Sequence, residues 1–185
     1  MSRLAACFLL GALSFIGPAL GSCATAQSAN STAYYAQDIG EILRANGYTA
    51  IALRRIPSGL DIVTLQINGV EGRFLLDTGA SNSVINSRAL SRFKISSGDI
   101  LNSDSAIGFG GEIAISSYRI SGLTIDGRNF PLPQISATDL TPAISALAST
   151  SGIRLDGVIG QDVMIWFDGV IDTKNRTLFL RRPQG

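Results

Sequence analysis

The triplet Asp77-Thr78-Gly79 follows directly on the apolar run Phe74-Leu75-Leu76 and precedes Ala80, Ser81 and Asn82. A carboxylate at the end of an apolar strand, next to a hydroxyl and a glycine free to take positive φ, has two readings. It is either a strand-ending Asx turn or an acid held for proton transfer. What the chain lacks sharpens the question. It contains no histidine, which removes Ser-His and Cys-His nucleophile pairs and histidine-based zinc sites together. Its two cysteines, Cys7 and Cys23, both lie near the N-terminus, so the rest of the chain can form neither a disulfide nor a cysteine-rich metal site. Carboxylates are the obvious acid/base groups left, and no metal or organic cofactor is implied.

The elements that must position such a carboxylate belong to one globular domain. The chain has 185 residues, 45% hydrophobic and 16% charged, enough apolar content for a real core. A formal charge of +1 argues against nucleic acid as a partner, because phosphate binding relies on a strongly basic face.

The N-terminus reads as an export signal: Met1-Ser2-Arg3, then a small and apolar tract from Leu4 to Leu20, interrupted at Gly17-Pro18. The tract is shorter than the ~20 apolar residues a spanning helix needs. Leu20-Gly21-Ser22-Cys23 resembles a bacterial lipoprotein box, in which cleavage leaves Cys23 first and lipidated. The competing reading is ordinary cleavage after Ala24-Thr25-Ala26. The expected organisation is a signal peptide over 1–22, a flexible tether over 23–35 and a folded domain over 36–185, exported to a bacterial periplasm or envelope and anchored through Cys23.

Within the domain most segments read as strands. One helix is expected over 36–46, where Ile39, Ile42 and Leu43 recur at helical spacing before Gly47. Strands are expected over 48–53, 60–67 and 72–77, punctuated by Pro57-Ser58-Gly59 and Asn68-Gly69. Further runs cover 112–116, 118–125, 129–135, 157–159, 169–172 and 177–182, with a turn at Asp126-Gly127. Two short helices are expected over 86–93, capped by Asn86 or Ser87, and from Thr141-Pro142 to Gly152. The pattern is that of an all-β barrel or sandwich with short helices.

Three segments together resemble the retropepsin-like aspartic proteases, and more closely their single-domain bacterial members. Residues 67–85, INGVEGRFLLDTGASNSVI, look like that family's strand, turn, strand and catalytic loop. Residues 157–164, GVIGQDVM, look like its second signature, and residues 107–115, IGFGGEIAI, sit where it has a glycine-tipped flap. The resemblance implies an all-β single lobe, mainly β with short helices, closed as a six-stranded-type acid protease barrel. It implies that Asp77 is the catalytic carboxylate, supported by Thr78, Gly79, Ala80 and Ser81 in its loop and by Gly160 packed against it. Asp162 fastens the following turn or contacts substrate, two readings the sequence leaves open. Ile107, Gly108, Phe109, Gly110 and Gly111 become a flap over a bound peptide, although a plain surface hairpin would look the same. Val84 and Ile85 are pocket-lining or core.

Peptide hydrolysis of this kind takes two carboxylates sharing a proton. The chain has one Asp-Thr-Gly and no Asp-Ser-Gly, so the second carboxylate is expected from a second copy, in a C2 homodimer that sets Asp77 opposite its mate. The first helix and strand, and a C-terminal strand running into Pro183, depart from the viral members and point to a different dimer contact. The expected activity is that of an aspartic endopeptidase acting on a peptide or protein. A catalytically inactive peptide-binding lipoprotein of the same fold is the alternative.

Overall fold

The computed structural model describes residues 38–108 and 111–183. The expected signal and tether, with Cys23, lie outside the described residues, as do Phe109 and Gly110 at the tip of the expected flap.

Helix α1 (Ile39–Ala45) leads into strands β1 (Thr49–Ala52), β2 (Arg54–Arg55), β3 (Asp61–Ile67), β4 (Val70–Leu76) and β5 (Val84–Asn86). A long hairpin follows, β6 (Ile100–Gly108) with β7 (Gly111–Arg119), then β8 (Leu123–Ile125), β9 (Arg128–Phe130) and β10 (Gln134–Thr138). Helix α2 (Thr141–Ser151), β11 (Gly157–Ile159), helix α3 (Gln161–Trp166) and the hairpin of β12 (Val170–Asp172) with β13 (Thr177–Leu180) complete the domain.

Turn chemistry behaves as the residues dictate. Asn68-Gly69 joins β3 to β4 with φ of 49° and 75°, and Asp126-Gly127 joins β8 to β9 with 48° and 72°. Positive φ at both central residues matches the right-handed twist of a two-residue hairpin. Helix α2 starts at Thr141, where the backbone N–H donates to Asp139 Oδ1 at 2.9 Å, and ends at Gly152 with φ 67°. The single helix expected over 86–93 is instead two 3-10 turns, Ser87–Ala89 and Ser91–Phe93, the second ended by Lys94 at φ 57°.

Among the described residues the chain is mainly β with three helices, as expected, and the strand pairing found there forms an open path rather than the expected closed barrel. Ten strands follow an open path, β6-β7-β10-β5-β11-β4-β3-β8-β9, with β2 added on β3. The terminal strands β6 and β9 do not pair with each other. β13 joins β1 and β12 in a separate three-stranded sheet, so it does not enter the larger one.

The core lies between these sheets around fully buried Phe74, Phe93, Phe130, Phe167 and Phe179. Phe130 meets Phe167 edge-on at 5.2 Å between ring centres. A smaller cluster of Ile56, Ile62, Ile144, Ile153 and Leu155 seats α2. Helix α1 contributes less than its spacing suggests: Gly40 is its buried residue, against Phe179, while Ile39 and Ile42 remain exposed.

Candidate active site

Asp77 is placed by three strands of the large sheet. β11 lies between β4 and β5, parallel to β4 with Ile159 opposite Leu76, and antiparallel to β5 with Val158 opposite Val84. The chain therefore leaves β4 at Asp77, passes around the end of β11 and returns as β5. Asp77 continues the ladder by one bond, its N–H donating to Ile159 O at 3.0 Å. The loop then turns tightly: Ala80 N–H donates to Asp77 O at 3.1 Å, and Gly79 N–H donates to Asp77 Oδ1 at 2.8 Å. Asp77 is half-buried, with Thr78, Gly79 and Ser81 exposed beside it and Ala80 half-buried. One carboxylate oxygen is thus fixed by a backbone donor in a loop that opens to solvent.

Helix α3 holds this loop from behind. Gln161 N–H donates to Ala80 O at 2.8 Å, Asp162 N–H to Ser81 O at 3.2 Å, and the Gln161 amide nitrogen to Thr78 O at 2.6 Å. Gly160 is required by proximity alone: a Cβ there would lie 2.7 Å from Ala80 O and from Asn82 C and O. These contacts are with backbone, which cannot swing aside as a side chain would.

The Asp162 carboxylate points into the fold. Its Oδ1 accepts from Ser83 N–H at 2.9 Å, Ser83 Oγ at 2.6 Å and Val163 N–H at 2.8 Å. Ser83, 1% exposed, completes the relay by accepting from Gly160 N–H at 2.9 Å. These bonds are of the fastening kind, and Asp162 also lines the groove beside the loop. Ser83 and Gln161 were not singled out from sequence. A serine among small polar residues and a glutamine at a helix start have no distinctive pattern, because their partners are 77 and 83 residues away in the chain.

The other expected residues fall into two groups. Ile85 is fully buried and belongs to the core, whereas Val84 is half-buried. In the β6–β7 hairpin Ile107 pairs opposite Glu112 and Gly108 opposite Gly111, so a hairpin exists where the flap was expected. A groove beside the loop is lined by Asn82, Gln134, Ser136 and Trp166 among others.

With this geometry in view, the aspartyl protease family model matches residues 63–163, from β3 through the Asp77 loop to α3. The chain belongs to that family. Among solved structures, this family member resembles a retropepsin-like aspartic protease from Rickettsia conorii. The TM-score is 0.51 at 18% identity, covering 72% of this chain and 98% of that one. That likeness supports a retropepsin-like fold. Weaker similarity extends to the EIAV protease in complex with the inhibitor HBY-793 (TM-score 0.44, 19% identity, 60% of this chain and 88% of that one). It also extends to the retroviral protease-like domain of Ddi1 from Leishmania major (TM-score 0.46, 22% identity, 64% and 86%). No curated protein matches the chain.

Proposed function

We propose that the protein is an aspartic endopeptidase whose site is completed by a second copy of the same chain, so that two Asp77 carboxylates flank one water. The observation that carries this reading is the loop itself: an accessible carboxylate, oriented by Gly79 N–H at 2.8 Å, in a sequence with a single Asp-Thr-Gly.

The chemistry follows from the pair. Two carboxylates about 3 Å apart do not both ionise readily, so they share one proton and titrate as a unit. The ionised member takes a proton from the water as its oxygen attacks the peptide carbonyl, and the protonated member donates to the carbonyl oxygen. Collapse of the tetrahedral intermediate breaks the C–N bond, with a proton delivered to the leaving nitrogen. Thr78, Gly79, Ala80 and Ser81 hold the geometry from the loop, and Gly160 and Asp162 hold it from α3. The β6–β7 hairpin, with Ile107, Gly108, Phe109, Gly110 and Gly111, covers an extended peptide bound by main-chain hydrogen bonds. Export and anchoring through Cys23 would confine copies to one surface and raise their effective concentration.

The test is hydrolysis of a diverse peptide pool, from acid to neutral pH, by wild type and Asp77→Asn at several protein concentrations. Expected is cleavage that disappears in the variant and rises faster than linearly with wild-type concentration. Cleavage surviving in a folded Asp77→Asn protein would overturn the proposal. Peptide binding without turnover by wild type would identify the non-catalytic module instead.

A further inference from the structure

Away from Asp77, three arginines gather around one buried carboxylate. Strand β4 turns Val70, Gly72, Phe74 and Leu76 toward the main core and leaves Glu71, Arg73 and Leu75 on its other side. Leu75 packs on the cluster that seats α2, and Arg154 lies between that cluster's Ile153 and Leu155. Arg73 precedes Asp77 by four residues, roughly 13 Å of strand at ~3.3 Å per residue. Asp156 precedes β11 at the same end, its N–H donating to Arg73 O at 2.7 Å. Arg73 and Arg154, with Glu71, Gly72, Arg92 and Asp156, line a hollow of about 200 Å³ at the end of β4 and β11 remote from the Asp77 loop.

The charges in this hollow are unevenly committed. Asp156, 6% exposed, is satisfied by its own chain: Oδ1 lies 2.6 Å from Arg92 Nη2, and Oδ2 accepts from Arg73 N–H at 2.9 Å. Arg92 is held by that contact, by Nη1 donating to Glu71 O at 2.8 Å, and by its guanidinium lying 4.5 Å from the centre of the Phe93 ring. A guanidinium carries five N–H donors, so Arg92 is fixed in place with donors to spare. Arg73 and Arg154 are exposed, and among the described residues their guanidiniums have neither an ion pair nor a hydrogen bond. Three guanidiniums thus face two carboxylates, one of which is already engaged.

We propose that this hollow binds a small phosphate-type oxyanion between the guanidiniums of Arg73, Arg92 and Arg154. The inference goes beyond the peptidase reading and does not depend on it. The planar fork of arginine matches the oxygens of a phosphate in bidentate fashion. A dianion balances the two unpaired guanidiniums, which a single carboxylate does not. The volume is below the ~300 Å³ at which pockets for drug-sized ligands begin, so a small anion fits where a larger ligand does not. Because Arg92 is positioned beforehand by Asp156, Glu71 O and Phe93, it loses little freedom on binding. Glu71 acts against the anion by repulsion, which makes its removal a test of sign.

The experiment titrates the full chain with inorganic phosphate by isothermal calorimetry at constant ionic strength. Acetate is the comparison anion, and circular dichroism checks the fold of each variant. Wild type should bind one phosphate with a dissociation constant on the order of 1 mM, and its melting temperature should rise with phosphate as mass action requires. Arg73→Gln and Arg154→Gln should each weaken binding at least about tenfold, the low end for a hydrogen bond to a charged group. Arg92 is left intact because it also fixes Asp156. Glu71→Gln should tighten binding by about two- to fivefold, the reach of one exposed charge. No saturation up to about ten times the expected constant, acetate bound as tightly as phosphate, affinity unmoved in either arginine variant, or weaker binding in Glu71→Gln would each overturn the inference. Asp77→Asn separates the two readings: it should bind phosphate as wild type does, and loss of binding in that folded variant would place the anion at the other site.

Discussion

Replacing Ser83 with alanine should cost far more than the loss of one oxygen from a small side chain suggests. Ser83 is 1% exposed, and its hydroxyl donates to Asp162 Oδ1 at 2.6 Å while accepting from Gly160 N–H at 2.9 Å. A hydrogen bond to a charged group contributes about 1.5–3 kcal/mol. Leaving the Gly160 N–H without a partner costs a further ~1–3 kcal/mol of desolvation. The two overlap, because the loop can relax around a single lost atom, so the expected net loss is about 3 kcal/mol. Urea unfolding followed by circular dichroism measures it, with an unchanged denaturant slope showing that stability alone has moved. Asp162→Ala and the double variant close a thermodynamic cycle, and the hydroxyl–carboxylate pair should couple by at least about 1 kcal/mol. A Ser83→Ala loss below ~0.5 kcal/mol, or additive single losses, would refute the claim that this relay fastens the loop to α3.

Gly160→Ala places a Cβ 2.7 Å from the backbone of Ala80 and Asn82, forcing the Asp77 loop outward by a large fraction of an ångström. Expected are a stability loss of roughly 1–3 kcal/mol and a fall in kcat of about 10–100-fold, read by unfolding and peptide turnover, and wild-type values in both would refute it. At the start of β3, hydrogen bonds from Arg55 on the paired β2, at 3.0 and 2.7 Å, hold the Asp61 carboxyl below its ordinary value, the charge attraction adding to them and burial opposing. A depressed acid stabilises the fold above the unfolded value of about 3.9 and loses that contribution as pH falls through the folded one. The melting-temperature gap between wild type and Asp61→Asn should therefore narrow from about pH 6 towards pH 2.5, and a constant gap would refute the pairing.

Much of the local structure was legible in the residues because its causes are local. Asn68-Gly69 and Asp126-Gly127 specify hairpins wherever they occur, and Thr141-Pro142 with Gly152 bounds a helix without help from its surroundings. Strand β6 escaped notice because it runs Ile-Leu-Asn-Ser-Asp-Ser-Ala-Ile-Gly, with no alternation, and exists through its ladder with β7. The runs 118–125 and 129–135 each read as one strand, yet the first breaks at Gly122, with φ 116°, and the second at Pro131 and Pro133. At the start of α2 the Thr141 N–H donates to Asp139 Oδ1, while the cap position, Leu140, makes no side-chain bond, a detail that only hydrogen-bond geometry reveals.

The sequence by itself narrowed the acid/base groups, since it has no histidine and both cysteines lie near the N-terminus, and it carried the one Asp-Thr-Gly on which the resemblance to retropepsin-like proteases rests. It also determined the mainly-β character, because residue type and period act over a few neighbours. Only the tertiary structure decided what holds Asp77 in place: β11 inserted between β4 and β5, and Ser83 and Gln161 bonded to partners distant in the chain. Only it decided that β13 is filled on both edges and that Arg73, Arg92 and Arg154 meet around Asp156. Such features depend on which segments meet after folding, and local pattern does not encode the pairing of strands separated by dozens of residues.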